Sequence, residues 1–522
     1  MMYKIICFLS LFFHMGYADK PDPFPLRLTD YNARELISEN SGVSAMHAIL
    51  LPKLNKVLMY DVLFGGHQNS IASEKMPCRI ANEETGELNC IFGAHQEASQ
   101  WTELVSTGGN GKGANTVRYL STCEKCDWRE YPSSLVDPRG IYLYFVYMYS
   151  TQVTLPDGGF IVFGGRGAFS YEYIPIEGQT NKNPTFLPLL QQTSDQFNAQ
   201  TQFNIENNLY PFVHLSPDGN LFIFSNNRSI LLDPKTKQVV REFPVLPGGS
   251  RNYPASGMSV LLPLRLKLGT LKKINAEVLT QKKFLPALQD CGRIQITKPN
   301  SVWRIEKMPS PRVMGDMMIL PNGDVIMFNG AKTGTSAWND AEDPNFAPVL
   351  YMPKGPRGQR MYHSSTVMLP DGKVLIAGSN THDGYDYNSK YPTELRVEKF
   401  SPPYLDPSLA GLRQHILDGF SDKEMSYDQQ FSVKVSSNEP KLNIDEVKVT
   451  MYTPAFTTHG ISMNQRLLIL GLVDVVSNLS TPIVHNIIAR APRSGEIAPL
   501  GYYLLSVISK RVPNASIWVH IK

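Results

Sequence analysis

Residues Arg360 to Gly378 read R-M-Y-H-S-S-T-V-M-L-P-D-G-K-V-L-I-A-G. Val367-Met368-Leu369 and Lys373-Val374-Leu375-Ile376 are apolar runs on either side of Pro370-Asp371-Gly372. Proline presets φ at the start of a turn and glycine accepts the positive φ that follows, so the stretch predicts a strand, a tight turn and a return strand. Tyr362 and His363 stand side by side just before the first strand. A phenol beside an imidazole suits a metal better than it suits a core.

The hairpin recurs, and the Tyr-His pair does not. Ala48–Pro52 with Lys56–Asp61 has the same shape, as do Val153–Gly158 with Phe160–Gly165 and Val213–Gly219 with Leu221–Phe224. A weaker copy lies at Val260–Pro263, and a clear one at Met318–Gly323 with Val325–Phe328. The turn prolines fall at 52, 156, 217, 263, 321 and 370. The first interval is double, and Leu104–Gly109 supplies the second strand of the unit inside it. Seven units with a mean period of about 53 residues predict an all-β fold, a seven-bladed kelch-type propeller. One blade cannot bury both faces of its sheet, and seven around an axis can.

The periodicity stops at Ser401-Pro402-Pro403-Tyr404-Leu405-Asp406-Pro407. Beyond it Phe431–Val435, Glu446–Tyr452 and Ser516–Ile521 alternate apolar and polar residues, which predicts an immunoglobulin-like antiparallel sandwich. The expected layout is a leader at 1–18, a propeller at 19–400 and a sandwich at 401–522. Thr457-Thr458-His459-Gly460 falls on a loop of the second domain.

With 522 residues, 42% of them apolar and 19% charged, the chain is an ordered globular protein of more than one unit. A net charge of +3 makes no strong field, which argues against nucleic acid and anionic membranes as partners. Lys4, the apolar run Ile5–Phe13 and Gly16-Tyr17-Ala18 resemble a secretory leader cleaved before Asp19. The expected location is therefore extracellular or cell wall, and the expected state a monomer. Five cysteines remain, an odd number, with Cys78–Cys90 and Cys123–Cys126 as local disulfide pairs and Cys291 left over. Asn227, Asn478 and Asn514 open N-x-S sequons and are candidate glycosylation sites.

Several longer motifs resemble the glyoxal oxidase branch of the galactose oxidase family. They are R-M-Y-H-S at Arg360, T-T-H-G-I-S-M-N-Q-R at Thr457, G-Y-Y-L-L at Gly501 and Y-P-T-E-L-R-V-E-K-F-S-P-P-Y-L-D-P at Tyr391. C-G-R-I at Cys291 and M-P-S-P-R-V-M-G-D-M at Met308 belong with them. The resemblance implies a secreted copper-radical oxidase that converts small aldehydes or primary alcohols with O₂ and releases hydrogen peroxide. It implies one copper ion per chain, with Tyr362 as axial ligand and base, and His363 and His459 as equatorial imidazoles. Tyr149, ahead of Ser150-Thr151-Gln152, would be the ligand that carries a tyrosyl radical. Two imidazoles and a phenolate suit tetragonal Cu(II), and an oxidisable phenol supplies the second electron that one copper cannot.

The chain departs from the family in three places. Gln96–Leu104 has no cysteine where the family carries the one that forms a thioether with the radical tyrosine. Ile141–Met148 reads as an apolar insertion before Tyr149, and Ala276–Lys282 lacks the V-C-G-G of the fifth blade. One or two blades are therefore expected to be incomplete and the cross-link absent. The alternative function is a catalytically impaired extracellular binding protein built on the same propeller.

Overall fold

In the computed structural model the described residues run from Arg34 to Lys522. The largest stretches left out are 61–77, 83–87, 90–95, 109–113, 122–128, 138–148, 267–272, 277–284 and 351–359, with shorter ones between. The leader, Cys90, Cys123, Cys126 and the 141–148 insertion lie outside the described residues, and so does the side chain of Cys78.

Seven sheets follow one another along the chain. Blade 1 pairs His47–Leu51, Lys56–Tyr60, Cys78–Asn82 and Leu88–Asn89 in that order. Blade 3 (Ser150–Thr154, Phe160–Gly164, Ser170–Tyr173, Thr185–Phe186) and blade 4 (Phe212–Leu215, Leu221–Ser225, Arg228–Leu232, Val239–Glu242) are antiparallel meanders of four. Blade 6 joins Asp316–Ile319, Val325–Phe328 and Val349–Leu350. The hairpin quoted at the outset is Ser364–Met368 with Val374–Gly378, the two inner strands of blade 7. Second strands such as Leu221–Ser225 and Val374–Gly378 are buried at every position. They do not alternate, because each blade is covered by a neighbour on both faces.

Blades 2 and 5 are not short of strands, contrary to expectation. Blade 2 has Gln96–Ala98, Thr102–Thr107, Val117–Ser121 and Arg129–Tyr131. Its inner strand is three residues long and lacks the proline turn, so the hairpin signal vanishes while the sheet survives. Blade 5 has Ser259–Leu261, Lys273–Ala276, Asp290–Arg293 and Arg304–Lys307. Between its first two strands, Leu264–Arg265 leaves the blade and pairs in parallel with Arg466–Ile469 of the second domain. That detour explains why Pro263 gave only a weak repeat.

Arg34–Ser38 completes blade 7 as its outermost strand, paired with Val397–Phe400. The ion pairs of Arg34 with Glu398 at 2.9 Å and of Glu35 with Lys373 at 2.7 Å hold it there. The last blade thus contains both ends of the propeller segment.

The second domain is a sandwich. One sheet is built on Val447–Thr453, Gly501–Ser509 and Ile517–Ile521, the other on Gln430–Ser436, Val484–Arg490 and Gly471–Asn478. Phe431, Val433, Val449, Ile487, Leu505 and Val519 form its apolar core. Among the sequons, Asn478 is exposed at a strand end and Asn227 is half-buried in a two-residue turn. Asn514 does not fit a glycosylation site: it is 3% exposed, and its side-chain oxygen accepts from the Val507 amide at 2.9 Å. Among the described residues no helix is long and apolar enough to cross a membrane.

At the inner edge of blade 6 a buried polar group braces the turn before Asp316. Asp316 and Arg312 are both fully buried. Asn329 donates to the Asp316 carboxyl at 2.6 Å, and Arg312 donates to the Asn329 carbonyl. Burial pushes the Asp316 carboxyl up to about 7, against the pull of Asn329 and Arg312. The folded chain therefore holds a proton that the unfolded chain releases near pH 4. The stability from this group is full below about pH 4 and is lost as pH rises through about 7, by up to about 1.4 kcal/mol per unit. In Asp316→Asn the unfolding midpoint should depend less on pH between about 4 and 7. A slope equal to that of the unsubstituted protein would contradict this.

Candidate metal centre

The hairpin Phe456–Thr458 and Ile461–Met463 leaves the sandwich and enters the propeller. Its first strand pairs with blade 1, His47 opposite Thr458 and Ala48 opposite Thr457. The hairpin also contacts the inner strands of blades 3, 5, 6 and 7, which places it on the propeller axis. Thr457 donates its hydroxyl to the Thr366 carbonyl of blade 7 at 2.8 Å. His459 and Gly460 form the turn at its tip. Gly460 has φ +79°, and a Cβ there would lie 2.5 Å from the Gly315 carbonyl oxygen. Only glycine lets the tip seat that closely on blade 6.

Backbone strain marks the residues singled out by sequence. Tyr149 has φ 91°, His363 61° and His459 51°. Each costs about 1–3 kcal/mol and persists only where its surroundings dictate it. Tyr149 and His363 immediately precede the inner strands of blades 3 and 7. The Tyr149 carbonyl accepts from the Tyr210 amide at 2.9 Å. Gly378, at φ +73°, lies so near that a Cβ would meet the carbonyl oxygens of His363 and Ala45.

The structure brings Tyr149, Tyr362, His363 and His459 together, all between 4% and 6% exposed. His363 stacks on Tyr362 with ring centroids 3.8 Å apart and meets the His459 ring edge-on at 4.9 Å. Tyr362 and Tyr149 lie 5.9 and 6.1 Å from His459. His459, the contribution of the second domain, is thus within ring contact of all three propeller residues.

The nitrogens are placed for ligation. His459 Nδ1 lies 2.7 Å from Thr458 Oγ1 and 3.2 Å from Tyr210 Oη, so Nε2 is the atom that could ligate a metal. His363 Nδ1 is buried and has no hydrogen-bond partner among the described residues. An orphaned imidazole nitrogen is costly unless something else fills its lone pair. Burial pushes His459 down to about 3. Burial, then the nearby His459 and His47 rings, hold His363 well below its usual value. Both rings are therefore neutral at pH 7, the form that binds a metal. Tyr149 is pushed well above its usual value by burial first, then by Tyr253 and Tyr362, so without a cation it stays a phenol. Among the described residues no group of three His, Cys, Asp or Glu gathers to hold a metal. A metal at this point could take the two imidazoles and the phenols as donors, and two imidazoles with phenolates suit Cu(II).

Sequence reasoning missed three members of the cluster. Tyr253 accepts a hydrogen bond from Tyr149 Oη at 2.9 Å and lies 2.8 Å from Tyr362 Oη. Tyr210 packs edge-on against Tyr149 at 5.4 Å. His47 is 5.9 Å from His459 and stacks on Phe456. A positional signal existed: Tyr210 and Tyr253 both precede proline on approach to the inner strands of blades 4 and 5, as Tyr149 and His363 precede theirs.

Residues 94–404 match the family model described as glyoxal oxidase N-terminus, and residues 413–521 match the galactose oxidase-like early set domain. The chain belongs to the glyoxal oxidase family. It is 46% identical over 536 residues to aldehyde oxidase GLOX1 of Arabidopsis thaliana, covering 93% of this chain and 84% of that protein. It is 37% identical over 531 residues to aldehyde oxidase GLOX of Vitis pseudoreticulata, covering 93% and 96%. Among solved structures, a fungal alcohol oxidase in complex with copper superposes with a TM-score of 0.68 over 92% of this chain and 97% of that one. At 16% identity that likeness establishes the shared fold. Within this glyoxal oxidase fold the seating of the axial hairpin sets the position of His459. In Gly460→Ala, a left-handed alanine and the collision with Gly315 should cost about 1–3 kcal/mol or more and lower the unfolding midpoint by several degrees. An unchanged midpoint would show that the tip is not seated as described.

Proposed function

We propose that this chain is a copper-radical oxidase that converts small aldehydes, or primary alcohols, with O₂. For an aldehyde hydrate the balance is one carboxylic acid and one hydrogen peroxide for each O₂ consumed. The observation that carries the reading is the convergence of two neutral imidazoles and two phenols on one buried point, with His363 Nδ1 orphaned. It is supported by the two curated plant relatives named aldehyde oxidases.

In this reading Tyr149, Tyr362, His363 and His459 hold one copper ion. When bound, the copper polarises a substrate oxygen and exchanges one electron, while an oxidised phenol exchanges the second. Tyr149 is the phenol we assign to that oxidation, and Tyr362 Oη is the base that takes the substrate proton. His363 and His459 stay neutral because both are buried, and His363 also because the His459 and His47 rings lie beside it. Trp338 and Tyr391 are half-buried and pack against the larger apolar core that includes Tyr149 and Tyr362, and we take that side as the approach for a small substrate. We read the protein as exported, in keeping with the leader and the exposed sequon at Asn478. The neighbours Tyr210 and Tyr253, which hold the Tyr149 ring, would tune its oxidation in place of a thioether.

Peroxide release from copper-loaded protein with a small aldehyde such as methylglyoxal tests this. Turnover is expected for the unsubstituted chain and background for Tyr149→Phe. Tyr362→Phe should lower kcat by about 10²–10⁴-fold, the usual worth of a positioned base. Stoichiometric copper without peroxide would contradict the oxidase reading and favour a binding protein on the same scaffold.

A further inference from the structure

Tyr253 is not one of the four proposed ligands, yet it touches two of them. Its hydroxyl lies between those of Tyr149 and Tyr362, at 2.9 and 2.8 Å. Its ring packs on that of Tyr149 with centroids 4.2 Å apart and an interplanar angle of 31°, and lies 6.4 Å from that of Tyr362. One side chain therefore touches both phenols, and one of them by two different contacts.

The loop that carries Tyr253 is fixed from two blades. On the blade 4 side the Tyr253 amide donates to the Leu209 carbonyl at 3.1 Å. Asn252 donates to the Tyr210 carbonyl at 2.9 Å and accepts from the Asn226 amide at 2.6 Å. On the blade 6 side the Pro254 carbonyl accepts from the Thr335 hydroxyl at 2.6 Å and from the Ser336 amide at 2.9 Å. Asn252 and Arg251 are buried to 1% exposure or less. So many backbone ties around one exposed-type loop sequence hold the Tyr253 hydroxyl in place.

We propose that Tyr253 is a third phenol of the centre, a positioning residue whose hydroxyl joins Tyr149 to Tyr362 and makes them inequivalent. A phenol offers one proton and so can donate to only one of two flanking oxygens. Without a metal Tyr149 donates to Tyr253, and in the second bond either Tyr253 or Tyr362 can be the donor. Once the flanking phenols lose their protons as a cation binds, the one Tyr253 proton reaches only one of them, and the oxygen that receives it is the less electron-rich of the two. The Tyr253 ring lies 4.2 Å from that of Tyr149 and 6.4 Å from that of Tyr362, a stacking contact that favours Tyr149 as the phenol to be oxidised. This rests on the reading of Tyr149 and Tyr362 as copper ligands.

The test is Tyr253→Phe, which keeps the ring and removes the bridge. Copper titration should show binding weakened by about threefold to tenfold, the worth of the one hydrogen bond that the Tyr253 proton can donate to a metal-bound phenolate. The phenolate-to-Cu(II) charge-transfer band should shift, with the far-UV dichroism and unfolding midpoint close to those of the unsubstituted protein. A purely structural role would not move the band. If Tyr253→Phe does not fold, Thr335→Val, which loosens the Pro254 carbonyl from outside the cluster, should shift the band in the same direction. Unchanged affinity and a superimposable band in whichever variant folds would overturn the inference while leaving the copper reading intact. An unsubstituted protein that binds copper without any such band would overturn the copper reading and this inference with it.

Discussion

The insertion of the Phe456–Met463 hairpin into the propeller axis is the contact on which the rest depends. Seven blades around an axis leave a space that their own inner strands do not fill. The hairpin fills it by backbone pairing with blade 1 and by packing on four other blades. It can do so because Gly460 at the tip tolerates both a left-handed φ and an approach to Gly315 that a Cβ would forbid. The same contact carries His459 to the three propeller residues. The cluster of Tyr149, Tyr362, His363 and His459 is therefore complete only when the second domain is docked.

Enclosure then sets the chemistry. Histidines this deeply buried cannot hold a charge, and phenols this deeply buried cannot lose a proton unless a cation arrives. A cation at the same point would reverse the second preference and satisfy the orphaned His363 nitrogen. Strained backbone at Tyr149, His363 and His459 is consistent with side chains held for a task at the expense of local stability.

Most of the architecture was legible in the sequence because turn chemistry is local. Pro-Asp-Gly and Pro-Asn-Gly turns marked the blades in which the inner hairpin is tight. The signal failed where the structure replaced a local turn by something long-range. In blade 5 the chain leaves to join the second domain, and in blade 7 the outer strand comes from Arg34–Ser38, hundreds of residues away. Tyr362, His363 and His459 could be singled out because they sit in long motifs, whereas Tyr149 rested only on its place just before Ser150-Thr151-Gln152. Tyr253 and Tyr210 were not, since their place before the inner strands is a signal only once the blades are known to meet on one axis, which N-Y-P and L-Y-P alone do not say. Asn514 shows the converse: its sequon is intact, yet the folded chain buries the nitrogen that a glycan would need.

The central claim is that one metal is shared between the two domains. Electron paramagnetic resonance of the copper-loaded protein, resolved for nitrogen hyperfine structure, addresses it directly. The account predicts two imidazole nitrogens on a single copper, and one in His459→Gln with His363 still bound. A nitrogen count unchanged by His459→Gln would mean that the axial hairpin does not reach the metal, and would contradict the account.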